Sequence, residues 1–239
     1  MIRLTLLFGL WLVTMGAAWA DVCPISKPLT VPDGGLDATK AAIAKKQLAI
    51  LAIGGAATIG QPAQGADYTY PARLEARLRA AFPDVAIKVA MLAIPRSSES
   101  IMVSKLSNEL AAHKPNLILW GPGATAAARG IDPESFAANV SEAVEKVHVV
   151  GADMLLMTLQ FAPSVARLMN LAPYRAAVLK LGDTAGIPVL DRYELMRSWN
   201  ETGFLDLDTT DPALRVHIAR TLYDCIAEAV TKGIVDATR

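Results

Sequence analysis

The chain has 239 residues, of which 53% are hydrophobic, and its 23 basic side chains balance 23 acidic ones. Nothing in a formal net charge of zero suggests nucleic acid or an acidic membrane surface as a partner, so we expect neither. The length is enough for one domain with a sizeable core.

The first twenty residues have the pattern of a secretory signal peptide. Arg3 supplies the positive start, an apolar stretch follows to about Ala18, and the Ala-Trp-Ala sequence at 18–20 is a small-x-small cleavage site. The stretch falls short of the roughly 20 apolar residues that a membrane-spanning helix needs, and a polar segment follows it. We expect cleavage before Asp21, a periplasmic or secreted protein, no transmembrane segment after cleavage, and a single domain over 21–239.

Five short apolar runs without polar alternation indicate strands that are covered on both faces. These runs are Leu48 to Ile53, Ile87 to Ala93, Asn116 to Trp120, Met154 to Leu159 and Pro188 to Leu190.

Between the runs, apolar residues recur every four positions, as on the buried face of a helix. The recurring residues are Leu74, Leu78 and Phe82; Met102, Leu106 and Leu110; Phe136, Val140 and Val144; and, in the last segment, Leu214, Ile218, Leu222 and Ile226. Asp132-Pro133 and Asp211-Pro212 are helix start signals, an acidic N-cap followed by proline.

Strands about 30 to 40 residues apart with a helix between them predict right-handed βαβ units. The fold class is therefore a three-layer α/β/α sandwich with a five-stranded parallel sheet, preceded by an irregular leader from Val22 to Asp37.

Two cysteines are present, Cys23 beside the predicted cleavage site and Cys225 near the C-terminus. An isolated pair in an oxidising compartment usually forms a disulfide, with two unpaired thiols as the alternative. Such a bond would attach the leader to the last helix.

Ligands of open parallel sheets bind beyond the carboxyl ends of the strands. The loops expected to form the site are Gly54 to Gly60, Ile94 to Ser98, Gly121 to Gly130, Gln160 to Ser164 and Thr202 to Asp211.

Common cofactor motifs do not fit these loops. No Gly-Lys-Ser/Thr ends the Gly54 loop, which excludes a Walker phosphate site. Gly121 to Ala126 matches G-x-G-x-x-A but follows the third strand, and no acidic residue closes the next one, so dinucleotide binding is not expected. Asp206, Asp208 and Asp211 lack the glycine and terminal glutamate of an EF-hand loop. We predict no metal and no cofactor.

The three histidines also lack the setting of a general base. His113 precedes Lys114 at a helix end, His148 lies between a helix and the fourth strand, and His217 lies inside the last helix. None has a visible triad partner, so surface or helix-end roles are expected.

The order of these loops resembles the SGNH, or GDSL, hydrolase family, in particular its small exported members. The matching segments are Ile50 to Gly60 for the first block, Tyr70-Pro71 with Leu74 for the following helix, Val89 to Ser97 for the second block, and Leu117 to Gly130 for the third. The resemblance implies the fold above and an ester hydrolase ancestry. Gly54 and Gly55 would let the first strand turn sharply into a helix.

The same resemblance implies that the catalytic residues have been replaced. The attacking serine of the family corresponds to Ala56, its histidine to Asp208 and its orienting aspartate to Leu205. Its oxyanion glycine and asparagine correspond to Ala93 and Thr125. No catalytic residue is therefore assigned. The candidate ligand-binding residues of this degenerate cleft are Gly55, Ala56, Thr58, Ala93, Arg96, Gly123, Thr125 and Asp208.

Three functions follow as hypotheses. The first is a non-catalytic exported protein that binds a small acyl, acetylated-glycan or anionic ligand, or a protein partner, in this cleft. The second is an atypical esterase or acyl hydrolase with another nucleophile, for which Thr58, Ser97 and Ser98 supply hydroxyls. The third is a structural role in the cell envelope.

Overall fold

The computed structural model describes residues 23–239. The predicted signal peptide and its cleavage site lie outside the described residues. Within the described part, none of the helices combines the length and the apolar character needed to span a membrane.

A single parallel sheet of five strands forms the centre of the fold, in the order β2-β1-β3-β4-β5. The strands are β1 Gln47–Gly54, β2 Ala86–Ala93, β3 Leu117–Trp120, β4 Asp153–Met157 and β5 Val189–Leu190. Each predicted strand is present, and the predicted fold class is confirmed.

Nine α-helices cover the sheet in residues 23–239. They are α1 Asp37–Ala44, α2 Tyr70–Ala81, α3 Glu99–His113, α4 Ala124–Arg129, α5 Pro133–Val149, α6 Pro163–Leu168, α7 Ala172–Ala185, α8 Arg192–Glu201 and α9 Pro212–Thr238. The four segments with a four-residue apolar repeat are α2, α3, α5 and α9. The four-residue spacing is also present in α7, where Tyr174, Val178 and Gly182 are buried, although the sequence analysis did not single out that segment.

Successive side chains of β1 point to opposite faces of the sheet and enter two separate cores. Leu48 and Ile50 pack in a core with α2, α8 and α9, whereas Leu51 and Ile53 pack in a core with α3, α5 and α7. The absence of polar alternation in this strand follows from burial on both faces.

The predicted helix starts are confirmed by side-chain caps. The Asp132 carboxylate accepts a hydrogen bond from the Ser135 amide at 2.9 Å, and Asp211 accepts from the amides of Ala213 and Leu214 at 2.8 and 3.0 Å. These bonds satisfy amides that the first helical turn leaves without a partner.

A disulfide joins Cys23 to Cys225 with a Cα separation of 5.5 Å, which confirms the predicted pairing. The leader that follows it is irregular up to α1 and packs on the domain. Trp199 donates its indole N–H to the Pro24 carbonyl at 2.8 Å. Leu29 lies so close to α9 that a Cβ at Gly233 would be 2.5 Å from it.

Asp191, directly after β5, is a buried acceptor for three side chains. Arg175 donates to it at 2.5 and 3.0 Å, Thr158 at 3.0 Å and Lys27 at 3.4 Å. Burial raises the pKa of this carboxyl, but the hydrogen bond and charge of Arg175 outweigh it, so the net pKa lies below the usual value.

We expect Asp191→Asn to lower the free energy of unfolding by about 2 kcal/mol at neutral pH, since the half-buried Arg175 loses its hydrogen bonds to a carboxylate and keeps Glu194 as its charged partner. A lowered folded-state pKa stabilises the protein above the unfolded-state pKa of about 4, and this contribution disappears as the pH falls through the folded-state value. Urea unfolding at pH 7 and pH 2.5 should therefore show a difference between variant and wild type that shrinks in acid. Asp183→Asn, an exposed change on α7, is the control, and a difference that persists unchanged in acid would contradict the ionic explanation.

Candidate functional site

A cavity of about 410 Å³ lies beyond the carboxyl ends of the strands. The loops after β1, β2 and β3 line most of it, and Gln160 and Arg192 complete it from beyond β4 and β5. The 202–211 loop does not reach this cavity. Some of its residues instead line an adjoining groove of about 280 Å³.

A larger cavity of about 860 Å³ lies at the opposite edge of the sheet, between the end of α3 and the end of α5. The charged side chains in its wall are exposed or half-buried, as with Lys114 and Glu142. Among residues 23–239, no buried charged side chain lines this larger cavity, so the smaller cavity is the candidate site.

The loop after β1 presents the methyl group of Ala56, the position expected to correspond to the family's serine. Ala56 is exposed and lines the cavity. A Cβ at Gly54 would lie 2.0 Å from the Thr58 hydroxyl oxygen, so the glycine is needed for the close approach of Thr58. Neither Gly54 nor Gly55 has a positive φ, and turns fill most of the segment up to α2. The chain turns directly after β1, with the Thr58 amide donating to the Gly55 carbonyl at 3.0 Å, and α2 begins at Tyr70 as expected.

The loop after β2 contributes Arg96, Ser97 and Glu99 to the cavity. Arg96 has the uncommon φ of +61°, and the Ser97 hydroxyl is buried with no hydrogen-bond partner among the described residues. Ala93, a predicted cleft residue, pairs with Gly54 in the sheet and does not line the cavity.

The loop after β3 is held by a buried carboxylate. Glu99 is 5% exposed, and its Oε1 accepts a hydrogen bond from the Gly123 amide at 2.9 Å. Gly123 has a φ of +107°, a conformation that glycine adopts readily. Thr125 follows it and lines the cavity as expected.

Arg192 is the buried cation of the cavity. Its side chain packs against Gly121, where a Cβ would lie 2.9 Å from one terminal guanidinium nitrogen. The residue is 5% exposed, its Nε donates to the Thr158 carbonyl at 3.0 Å, and no ion pair to it is found within residues 23–239. Burial lowers its pKa to about 10, with the nearby Tyr70 and Tyr223 acting in the opposite direction. The guanidinium is therefore still charged at neutral pH.

The positions expected to replace the family's aspartate and histidine lie away from this cavity. Leu205 is buried in the core. Asp208 accepts hydrogen bonds from the Ser164 amide at 3.2 Å and from Arg167 at 2.8 Å. The hydrogen bond and charge of Arg167 lower the pKa of the Asp208 carboxyl. The prediction that Asp208 lines the cleft was wrong, because the Ser164 amide and Arg167 hold its carboxylate over the start of α6.

No histidine contributes to the cavity lining. His113 pairs with Glu109 at the end of α3, His148 lines a separate depression at the amino edge of the sheet, and His217 lies on α9. Nor does the described part of the chain hold any group of three His, Cys, Asp or Glu side chains placed to bind a metal ion.

Sequence reasoning missed Glu99 and Arg192. The position of each residue could have indicated the site, because Arg192 comes two residues after β5 and Glu99 begins α3 shortly after β2. The rule that sites follow strand ends applies to β5 as well as to the other strands. The proposed loops omitted the one after β5, and with it the buried cation.

Comparison with known proteins supports the relationship to the SGNH/GDSL hydrolases. The model of the non-GDSL lipase-like family matches residues 22–239. A lipase/acylhydrolase from Enterococcus faecalis has 20% identity over 79% of this chain and 96% of its own, with a TM-score of 0.64. The acetylxylan esterase Axe2 from Geobacillus stearothermophilus has 20% identity over 78% and 94%, with a TM-score of 0.60. The esterase EstA from Pseudoalteromonas sp. has 15% identity over 76% and 98%, with a TM-score of 0.58.

No curated protein sequence matches the chain. At these identities the solved structures establish the fold alone, whereas the family model covers the whole described part of the chain. The chain therefore belongs to the non-GDSL lipase-like family and has the fold of the SGNH/GDSL hydrolases.

Proposed function

We propose that this chain is a non-catalytic, exported member of its family that binds a small anionic ligand in the cavity beside Ala56. One observation carries the proposal: the buried guanidinium of Arg192 lines the cavity and has no carboxylate partner among the described residues. An unpaired buried charge is costly, and an anion that enters the cavity offsets this cost.

The absence of catalysis follows from the residues that surround Ala56. A methyl group cannot attack a carbonyl, and the cavity lining holds no imidazole to act as base. In subtilisin, loss of either the serine or the histidine lowers turnover on the order of a millionfold. Both functions are missing here.

Neutral acyl and acetylated-glycan ligands rank second. The names of the solved neighbours, an acylhydrolase and an acetylxylan esterase, refer to these chemistries. A carboxylate matches Arg192 more directly, because its two oxygens fit the geometry of a guanidinium. The disulfide and the signal-like N-terminus support export as the setting in which this ligand is met.

An atypical hydrolase is the second candidate function, and Ser97 is the observation in its favour. Ser97 lines the same cavity, and its hydroxyl is buried without a hydrogen-bond partner in the described structure. A serine without an adjacent base is a weak nucleophile, however, so this candidate ranks below the first.

We expect the purified mature protein to leave short acyl esters intact and to remain unlabelled by a serine-directed fluorophosphonate. Ala56→Ser should behave in the same way, because the added hydroxyl has no imidazole beside it. Acetate, propionate or butyrate should raise the unfolding temperature, since a ligand that binds only the folded state stabilises it by mass action.

An active esterase of the same fold serves as the positive control for both assays. Ester turnover at ordinary enzymatic rates, or labelling that Ser97→Ala removes, would establish the second candidate. The absence of a shift with all three carboxylates would contradict the anionic ligand.

A further inference from the structure

The candidate cavity contains two buried charges of opposite sign that do not pair with each other. Arg192 and Glu99 are each 5% exposed and both line it. Within residues 23–239, no ion pair joins them or connects either one to another residue. Each charge is thus left to be compensated by what enters the cavity.

Both groups are anchored to one short loop, which places them within reach of a single small molecule. Arg192 packs on Gly121, at 2.9 Å from a Cβ position there, and Glu99 accepts from the Gly123 amide at 2.9 Å. Two residues of extended chain span at most about 7 Å. The cation and the anion therefore lie on neighbouring parts of the same wall.

Hydrogen-bonding capacity remains on both side chains. The structure gives the Arg192 guanidinium one acceptor, the Thr158 carbonyl, and gives the Glu99 carboxylate one donor, the Gly123 amide. A guanidinium has five N–H donors and a carboxylate about four acceptor positions. Ser97 adds a buried hydroxyl without a partner to the same lining.

We propose that the ligand is a zwitterion, a small molecule whose carboxylate binds Arg192 and whose ammonium group binds Glu99. This inference rests on the proposed function, because it specifies the ligand of the same cavity. A simple carboxylate would compensate Arg192 but would leave the buried Glu99 unpaired. A ligand with both charges compensates the two side chains together, and a molecule that lacks either charge is disfavoured by the group left unpaired.

The test compares zwitterions with carboxylates of matched length by calorimetry. Glycine, β-alanine, γ-aminobutyrate and 6-aminohexanoate are paired with acetate, propionate, butyrate and hexanoate, so that each pair differs by one ammonium group. We expect at least one zwitterion to bind tenfold or more tightly than its partner, as a hydrogen bond to a charged group produces. The length at which the preference peaks measures the separation of the two sites.

Glu99→Gln is the decisive variant, since its amide oxygen still accepts from Gly123. It should bind the matched carboxylate at least as tightly as the wild type does, because a nearby negative charge is removed, and it should lose most of the preference for the zwitterion. Glu109→Gln, on the same helix but absent from the cavity lining, should keep the preference. Unfolding of the ligand-free variants checks that the fold is retained.

The outcomes separate this inference from the proposed function. Carboxylates that bind through Arg192 as tightly as the matched zwitterions would overturn the zwitterion and leave the anion site standing. A preference that survives in Glu99→Gln would also overturn it. No binding by any member of the two series would overturn both.

Discussion

Replacing both Cys23 and Cys225 with alanine should lower the free energy of unfolding by as much as about 5 kcal/mol. The disulfide joins residues 202 positions apart, and the chain-entropy model assigns about that value to the loss of so long a closed loop. Urea unfolding of the oxidised wild type and of the variant measures the difference. Reductant should destabilise the wild type alone, and a difference below about 1 kcal/mol would contradict the entropic account.

The same change should loosen the leader before it affects the sheet. Without the disulfide, the contacts that still hold the segment include the Trp199 bond to the Pro24 carbonyl, Leu29 against Gly233, the Lys27 bond to Asp191 and the bridge from Thr30 to Val189. Local opening costs less than global unfolding where few contacts cross to the core. Limited proteolysis under native conditions should therefore cut the variant between residues 24 and 36 at a protease concentration that leaves the wild type intact.

Arg192→Met should have effects of opposite sign on stability and on binding. Methionine removes a buried charge that no carboxylate compensates, so we expect the ligand-free protein to gain about 1 kcal/mol, even with the Thr158 bond lost. The same change removes the proposed anion site. Affinity for a carboxylate such as butyrate should fall on the order of a hundredfold, as for other truncations of a buried charged partner.

Thermal unfolding without ligand and calorimetry with butyrate measure these two effects separately. Arg215→Met, on α9 and outside the cavity lining, is the matched control and should leave butyrate affinity unchanged. A strongly destabilised ligand-free Arg192→Met protein would show that this arginine is structural. Unchanged butyrate affinity in a folded variant would remove the basis of the anion site.

The predicted strands and helices show why much of the fold can be predicted from one sequence. A strand such as Leu48 to Ile53 is apolar at every position because both its faces are covered, and a helix such as α5 repeats Phe136, Val140 and Val144 because one stripe is covered. These are local consequences of burial. The capping acids Asp132 and Asp211 are equally local, since each bonds to amides within three residues.

The site was less predictable, and its particular residues explain the difference. Ala56 was expected at the cavity from its place after β1, and it lies there. Asp208 was also expected there from its place in a loop, but Arg167 and the Ser164 amide hold it elsewhere. Sequence order locates a loop on the correct edge of the sheet, whereas the partners of a side chain decide where it points.

By itself, the sequence predicted the layered α/β architecture and the pairing of its two cysteines, both of which the structure confirms. Only the tertiary structure decided that Arg192 and Glu99, which are 93 positions apart, are buried in one cavity. The physical reason is that periodicity and capping act between residues a few positions apart. The compensation of a buried charge depends instead on which distant groups the folded chain brings within hydrogen-bond distance.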